Sequence, residues 1–181
     1  YEAFMTSEAA RIEHWDYKLE AHDAFRDARP NAVHHAIVWL EKAGKLRAVV
    51  TQNIDGLHSL AGTTGETLVE LHGTNALVEC QTCRRRTDPE PHFDFFRRTR
   101  KPPLCDCGGF LKPATISFGQ NLDPRELARA EKAAAHVGGV PQPAKLMTAA
   151  IDANVIGMQV VVMRFDFFVS WNPTITSLHW L

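Results

Sequence analysis

The residue types best suited to chemistry fall in two short bursts. Gln52, Asn53, Asp55 and His58 lie in TQNIDGLH, and Glu70 and His72 lie in ELHG. An imidazole such as that of His72 could move a proton, because its unperturbed pKa lies near neutral pH. An amide such as Asn53 both donates and accepts, so it can position a water or a sugar hydroxyl. The bland alternative for Asn53 and Asp55 is turn chemistry, which both residue types favour. His72 could equally be a core or turn histidine. Each burst follows an apolar run, residues 46–50 and 68–71. Ligands of open α/β sheets sit in the crevice beyond the carboxyl ends of the strands, and both bursts have that position.

The second set is metal-like. Cys80 and Cys83 are two residues apart, Cys105 and Cys107 one apart, and these are all 4 cysteines of the chain. Two close pairs joined by a polar, arginine-rich loop match the ligand count of a structural zinc site, with no position left open for catalysis. A redox Cys-x-x-Cys would need one pair at a helix start, not two pairs around an insertion.

Elements must position these groups. Asn31 is expected to cap a helix carrying Val33, Ala36, Ile37 and Leu40, which Gly44 stops. His34 and His35 on it are expected at the surface or its boundary. Residues 46–51, rich in valine, form a buried parallel strand, and residues 67–71 a second. Residues 110–118 are extended. Asp123, Pro124 and Glu126 start a helix with a capping box, its inner face Leu127, Ala130, Ala134 and Val137. Residues 1–29 form one or two helices, with Trp15, Tyr17 and Phe25 able to share a face and Phe4 apart from it. Gly138-Gly139 breaks the last helix. The apolar run 155–171 is short for a membrane span and holds Arg164 and Asp166, so a strand or an aberrant tail is expected.

With 181 residues, 45% hydrophobic and 23% charged, the chain can bury one sizeable core. Its net charge of −1 gives no global attraction to nucleic acid or anionic membranes. The basic patches 84–86 and 97–101 read as solvated loops. The first ten residues lack the order of a signal peptide. The clustered cysteines suit a reducing cytoplasm.

TQNIDGLH, ELHG, the C-x2-C and C-x-C-G-G pairs and KPATISFGQ, in this order, resemble a sirtuin, with ARPNAVHHA and LDPRELARAEKAAAH adding to the likeness. It covers about residues 12–136, and the Cys-x-Cys-Gly-Gly and FGQ forms resemble bacterial members. Sirtuins are NAD-dependent protein-lysine deacylases. The resemblance implies an α/β fold: a partial Rossmann-like parallel sheet with a small inserted zinc-binding module. The expected parts are 31–75 and 115–181 for the Rossmann-like portion, 76–114 for the zinc module and 1–30 for a helical segment. The resemblance also implies NAD as cosubstrate, one structural zinc on Cys80, Cys83, Cys105 and Cys107, and an acylated-lysine protein or peptide as partner, with no specific nucleic acid and no membrane.

By the same resemblance His72 is the general base and Asn53 its catalytic neighbour. Gln52, Asn53, Ile54, Asp55 and His72 contact NAD, and Phe118 and Gly119 wall the acyl-lysine channel. His58 and Glu70 take surface or supporting places. The family's Gly-Ala-Gly-x-Ser segment, its Asp-Phe-Arg loop and its later Gly-Thr-Ser motif do not occur in this sequence. The sequence is therefore expected to start downstream of the first two and to diverge after about residue 136. Two other readings remain open: a non-enzymatic zinc-ribbon interaction module, and an NAD-dependent ADP-ribosyltransferase.

Overall fold

The computed structural model describes residues 1–135 and 159–163. Val137 and Gly138-Gly139 lie outside the described residues, as does most of the run 155–171.

Among the described residues there are two small sheets. In the first, β1 (Leu46–Thr51) pairs in parallel with β2 (Leu68–Glu70), with Thr51 opposite Glu70. The valine-rich run of β1 is buried because helices cover both of its faces. Helix α3 (Ala32–Lys42) packs Ile37 and Leu40 against Val49 and Leu68, and helix α6 (Pro124–Ala135) packs Ala130 and Ala134 against Val50, Val69 and Leu71. Side chains alternate across a strand, so a strand between two helices must be apolar on both parities. On the other edge of β1 the strand β6 (Gln159–Met163) pairs antiparallel. The sheet is thus mixed, not all parallel. Antiparallel edge strands are common on such sheets, and this β-branched run satisfies the open hydrogen-bonding edge of β1.

In the second sheet, β3 (Gly73–Cys80) lies between β4 (Arg86–Thr87) and β5 (Leu111–Thr115), antiparallel to both. Strands β3 and β5 each cross a boundary drawn from the sequence, at 75/76 and 114/115. Helices α1 (Glu2–Thr6), α2 (Glu8–Phe25) and α5 (Glu90–Thr99) cover this lobe. Its core joins Trp15, fully buried, to Val78, Cys80, Phe93, Phe96 and Leu111.

Several expectations are corrected. Phe4 is buried against His14 and Phe110, whereas Tyr17 is exposed, because α2 turns its Trp15 face to the lobe. His34 is buried. Its ring closes the α3 capping box with Asn31 and lies 4.7 Å from that of His58, so capping draws it inward. Asp123 Oδ1 does cap α6, accepting from the Arg125 amide at 2.9 Å, while Glu126 bonds Arg129 in place of the helix start. Of the basic patches, Arg86 lies in β4, and Arg97 lies in α5, bonded to Asp23 and Asp94.

Candidate functional site

The site forms where β1 and β2 end side by side. Thr51 Oγ1 accepts the Asn53 amide at 3.0 Å and turns the chain out of β1. Asp55 Oδ1 accepts the Leu57 amide at 2.9 Å and, with Gly56 at φ +71, starts helix α4 (Leu57–Ala61). The Ile54 carbonyl accepts the Asn75 amide at 2.8 Å, tying this loop to β3. The Leu71 amide donates to the Thr51 carbonyl at 3.0 Å, and the His72 carbonyl accepts from Ile116 at 2.8 Å. His72 is therefore held at the seam of the two sheets.

The His72 imidazole is half-buried. Burial lowers its pKa, against a smaller opposing effect from a hydrogen bond with the Gln52 backbone. The sequence-predicted Gln52 and His72 thus meet, with Asn53 next along the chain. Gln52 Oε1 is buried and finds no hydrogen-bond partner among the described residues. A buried carbonyl oxygen without a donor is costly, and a sugar hydroxyl is the kind of donor it lacks. These residues fit the ribose side of NAD. Phe118 and Gly119 lie beyond β5, in a turn closed by the Gln120 amide donating to the Ser117 carbonyl at 2.9 Å. Phe118 is 84% exposed, which rules out a core role, and its carbonyl accepts from the Tyr1 nitrogen at 2.9 Å. His58 is buried behind the loop, not at the surface.

The four cysteine sulfurs lie within 4.8 Å of one another. Cys80 to Cys107 is 3.5 Å and Cys83 to Cys105 is 3.7 Å. A Zn–S bond of about 2.3 Å spaces tetrahedral sulfurs about 3.8 Å apart, whereas a disulfide needs about 2.05 Å. All four are free thiols. Burial pushes the Cys80 thiol up, but the Cys83 and Thr82 amides outweigh it and bring it down to about 6. The Gly109 amide lowers Cys107, yet the sulfurs of Cys80, Cys83 and Cys105 drive it up to about 11. Four crowded sulfurs favour thiolate together only around a cation, so the donor set fits zinc. Gly109 makes room for it: a Cβ there would sit 2.6 Å from Cys80 Sγ.

Glu70 and Arg84, far apart in the sequence, gather with Glu79 and Lys112 in a charged group between the sheets. A cleft of about 490 Å³ is lined by Glu70, Glu79, Arg84, Lys112, Arg125 and Arg129, among others, and His72 does not line it. Glu70 is driven up to about 7, chiefly by burial, with Glu126 and Asp55 adding to it and Arg86 opposing. Lys112 is 1% exposed and is lowered to about 8 by burial and by Lys18. Its signal in the sequence was a lysine inside an otherwise apolar run, FLKPATI.

Comparison with known proteins now assigns the family. The Sir2 family model matches residues 2–140, and the chain belongs to this family. An NAD-dependent protein deacetylase of Rhodopseudomonas palustris is 36% identical over 137 residues, covering 75% of this chain and 54% of that protein. Another from Haloarcula marismortui is 41% identical over 124 residues, covering 66% of this chain and 47% of that protein. The chain therefore spans about half the length of these curated relatives. Among solved structures, a sirtuin from work on substrate affinity aligns with TM-score 0.68 and 28% identity, covering 84% of this chain and 64% of that one. A Sir2 protein with a p53 peptide and NAD aligns with TM-score 0.63 and 30% identity, covering 74% and 54%.

Proposed function

We propose that this chain carries the catalytic strand ends and zinc module of an NAD-dependent protein-lysine deacylase, which yields nicotinamide and O-acyl-ADP-ribose. The observation that carries this reading is the junction of the half-buried His72 imidazole with the Gln52–Asp55 loop.

NAD, where bound, would supply the ribose carbon that the acyl oxygen attacks as nicotinamide departs. His72, kept neutral by burial, accepts a proton from a hydroxyl at the imidazole nitrogen turned away from Gln52. Gln52 Oε1 accepts a hydrogen bond from a ribose hydroxyl. The Asn53 amide orients a water or sugar oxygen, Ile54 packs on the nicotinamide side, and the Asp55 oxygen not used by Leu57 steadies positive charge. Phe118 and Gly119 flank the acyl-lysine chain, whose peptide adds as an extended strand through backbone hydrogen bonds. Cys80, Cys83, Cys105 and Cys107 hold one structural zinc, which fixes the second sheet and takes no part in the reaction.

The division into a Rossmann-like part (31–75 and 115–181), a zinc module (76–114) and a helical segment (1–30) belongs to the same reading, with β3 and β5 as the strands that join the first two across their boundaries. So does a cytoplasmic setting, which suits cysteines gathered to hold a metal and not paired as disulfides. No helix among the described residues is long and apolar enough to cross a membrane.

The test is NAD calorimetry on this chain, with mass spectrometry of an acetyl-lysine peptide incubated with it. Micromolar NAD binding, lost in Asn53→Ala, and an unmodified lysine product are expected. Added ADP-ribose on the peptide would make it a transferase of another kind, and zinc without NAD binding would overturn the enzymatic reading for this chain.

A further inference from the structure

The cleft between the sheets has a charge arrangement that the proposed reaction does not use. Glu79, 6% exposed, occupies the middle strand β3. Its cross-strand neighbours are Arg86 on β4 and Lys112 on β5. Its two oxygens take Arg84 at 2.9 Å and Arg86 at 2.6 Å. One carboxylate therefore bonds two arginines and holds Lys112 within its electrostatic reach. Asp123, bonded to Arg125 at 2.8 Å, lies within the electrostatic reach of Arg84, and Arg125 within that of Glu79. Among the described residues, the lining of this cleft holds five cations, Arg84, Arg86, Lys112, Arg125 and Arg129, against four carboxyl groups, Glu70, Glu79, Asp123 and Glu126.

The zinc knuckle builds this arrangement. Arg84 directly follows Cys83 and has φ +62, which a residue with a side chain rarely adopts. Its amide donates to the Cys80 carbonyl at 3.0 Å, so the turn that sets the cysteines also aims the arginine. Arg84 and Arg125 also line a second groove, of about 400 Å³, with Gly119 and Gln120. This groove shares Arg84, Ile116 and Gln120 with the larger cleft. Arg84 and Arg125 thus border the groove that reaches Gly119, and Arg86 lies in the cleft that opens into it.

We propose that Arg84, Arg86 and Arg125 form a specificity subsite for carboxylate side chains flanking the acyl-lysine, so that this chain selects acidic over basic acyl-lysine sequences. The inference rests on the acyl-peptide reading above and adds the substrate class. The acid would complete the neutralisation that the four carboxyl groups of the cleft leave unfinished. Partly exposed arginines give such contacts selectivity and a faster encounter more than raw affinity.

The test is fluorescence anisotropy of labelled acetyl-lysine peptides with Glu, Gln or Lys on both flanks, titrated into the zinc-loaded full chain at low and high salt. An unacetylated Glu peptide serves as control. The Glu peptide is expected to bind about tenfold tighter than the Lys peptide at low salt, a contrast that salt compresses. Arg125→Glu, at an exposed position, should reduce the contrast, and Arg84→Glu with Arg125→Glu should invert it, with zinc content and melting temperature recorded for each. Equal binding of the three acetylated peptides would overturn the subsite and leave the deacylase reading standing. Failure of every acetylated peptide to bind would overturn both. A Glu peptide that binds equally well without its acetyl group would overturn the link to acyl-lysine.

Discussion

Gly73 lies against Ala114: a Cβ on Gly73 would sit 2.0 Å from the Ala114 carbonyl oxygen. The obstacle is strand backbone, and Gly73 is also at φ +72. Neither a rotamer change nor a small shift relieves both. Gly73→Ala should therefore destabilise the fold by about 3 kcal/mol or more. Because His72 precedes it, NAD affinity should fall too, as calorimetry on any folded fraction would reveal. A melting temperature equal to that of the parent would contradict the close approach.

Gly109 is constrained by the metal centre instead. Its missing Cβ leaves room for Cys80 Sγ and Thr82 Oγ1, each 2.6 Å from where that atom would lie. Gly109→Val should lower zinc stoichiometry. Removing zinc with a chelator should loosen the lobe around Trp15, which packs with Cys80 and Cys105 in one core. Tryptophan fluorescence that does not respond to chelation would count against the structural role.

The pH response of His72 has a definite sign. Its folded pKa is lowered, principally by burial, below the ordinary value of about 6.5. The neutral base form therefore persists below pH 6.5, and the acid limb of kcat/KM in an active relative should fall only under that pH. His72→Ala there should abolish turnover and leave zinc bound. Normal turnover by that variant would remove the base from the scheme.

His14 predicts an acid-sensitive stability. Its imidazole is brought down to about 4 by burial, then by Lys112, Lys18 and the chain's amino group. The unfolded chain binds the proton first as pH falls through about 6.5, so stability is lost progressively from there down to the folded value. The loss is on the order of 3 kcal/mol. His14→Leu should flatten the denaturation midpoint between pH 6.5 and 4, and an unchanged slope would remove His14 as its source.

How far the sequence reached is clearest at particular residues. The valine run of β1, the Asn31 and Asp123 caps and the four cysteines are local signals: periodicity, a short polar side chain before a helix, and ligand spacing. Each acts within a few residues, so the sequence alone determined the α/β character, the metal module and the residues gathered at the strand ends. It did not determine the burial of His34, Lys112 or Glu79, because their bonding partners lie near in sequence while the elements that cover them come from distant chain. Lys112 bonds the Thr115 carbonyl within its own strand and Glu79 bonds Arg84 and Arg86 a few residues on, but each is covered only once β3, β4 and β5 pair. Nor could the sequence assign Phe4 to the core and Phe118 to solvent, since apolarity does not say which face meets a neighbour. Tertiary structure decided these positions, because burial is a property of the assembled sheets and not of any one segment.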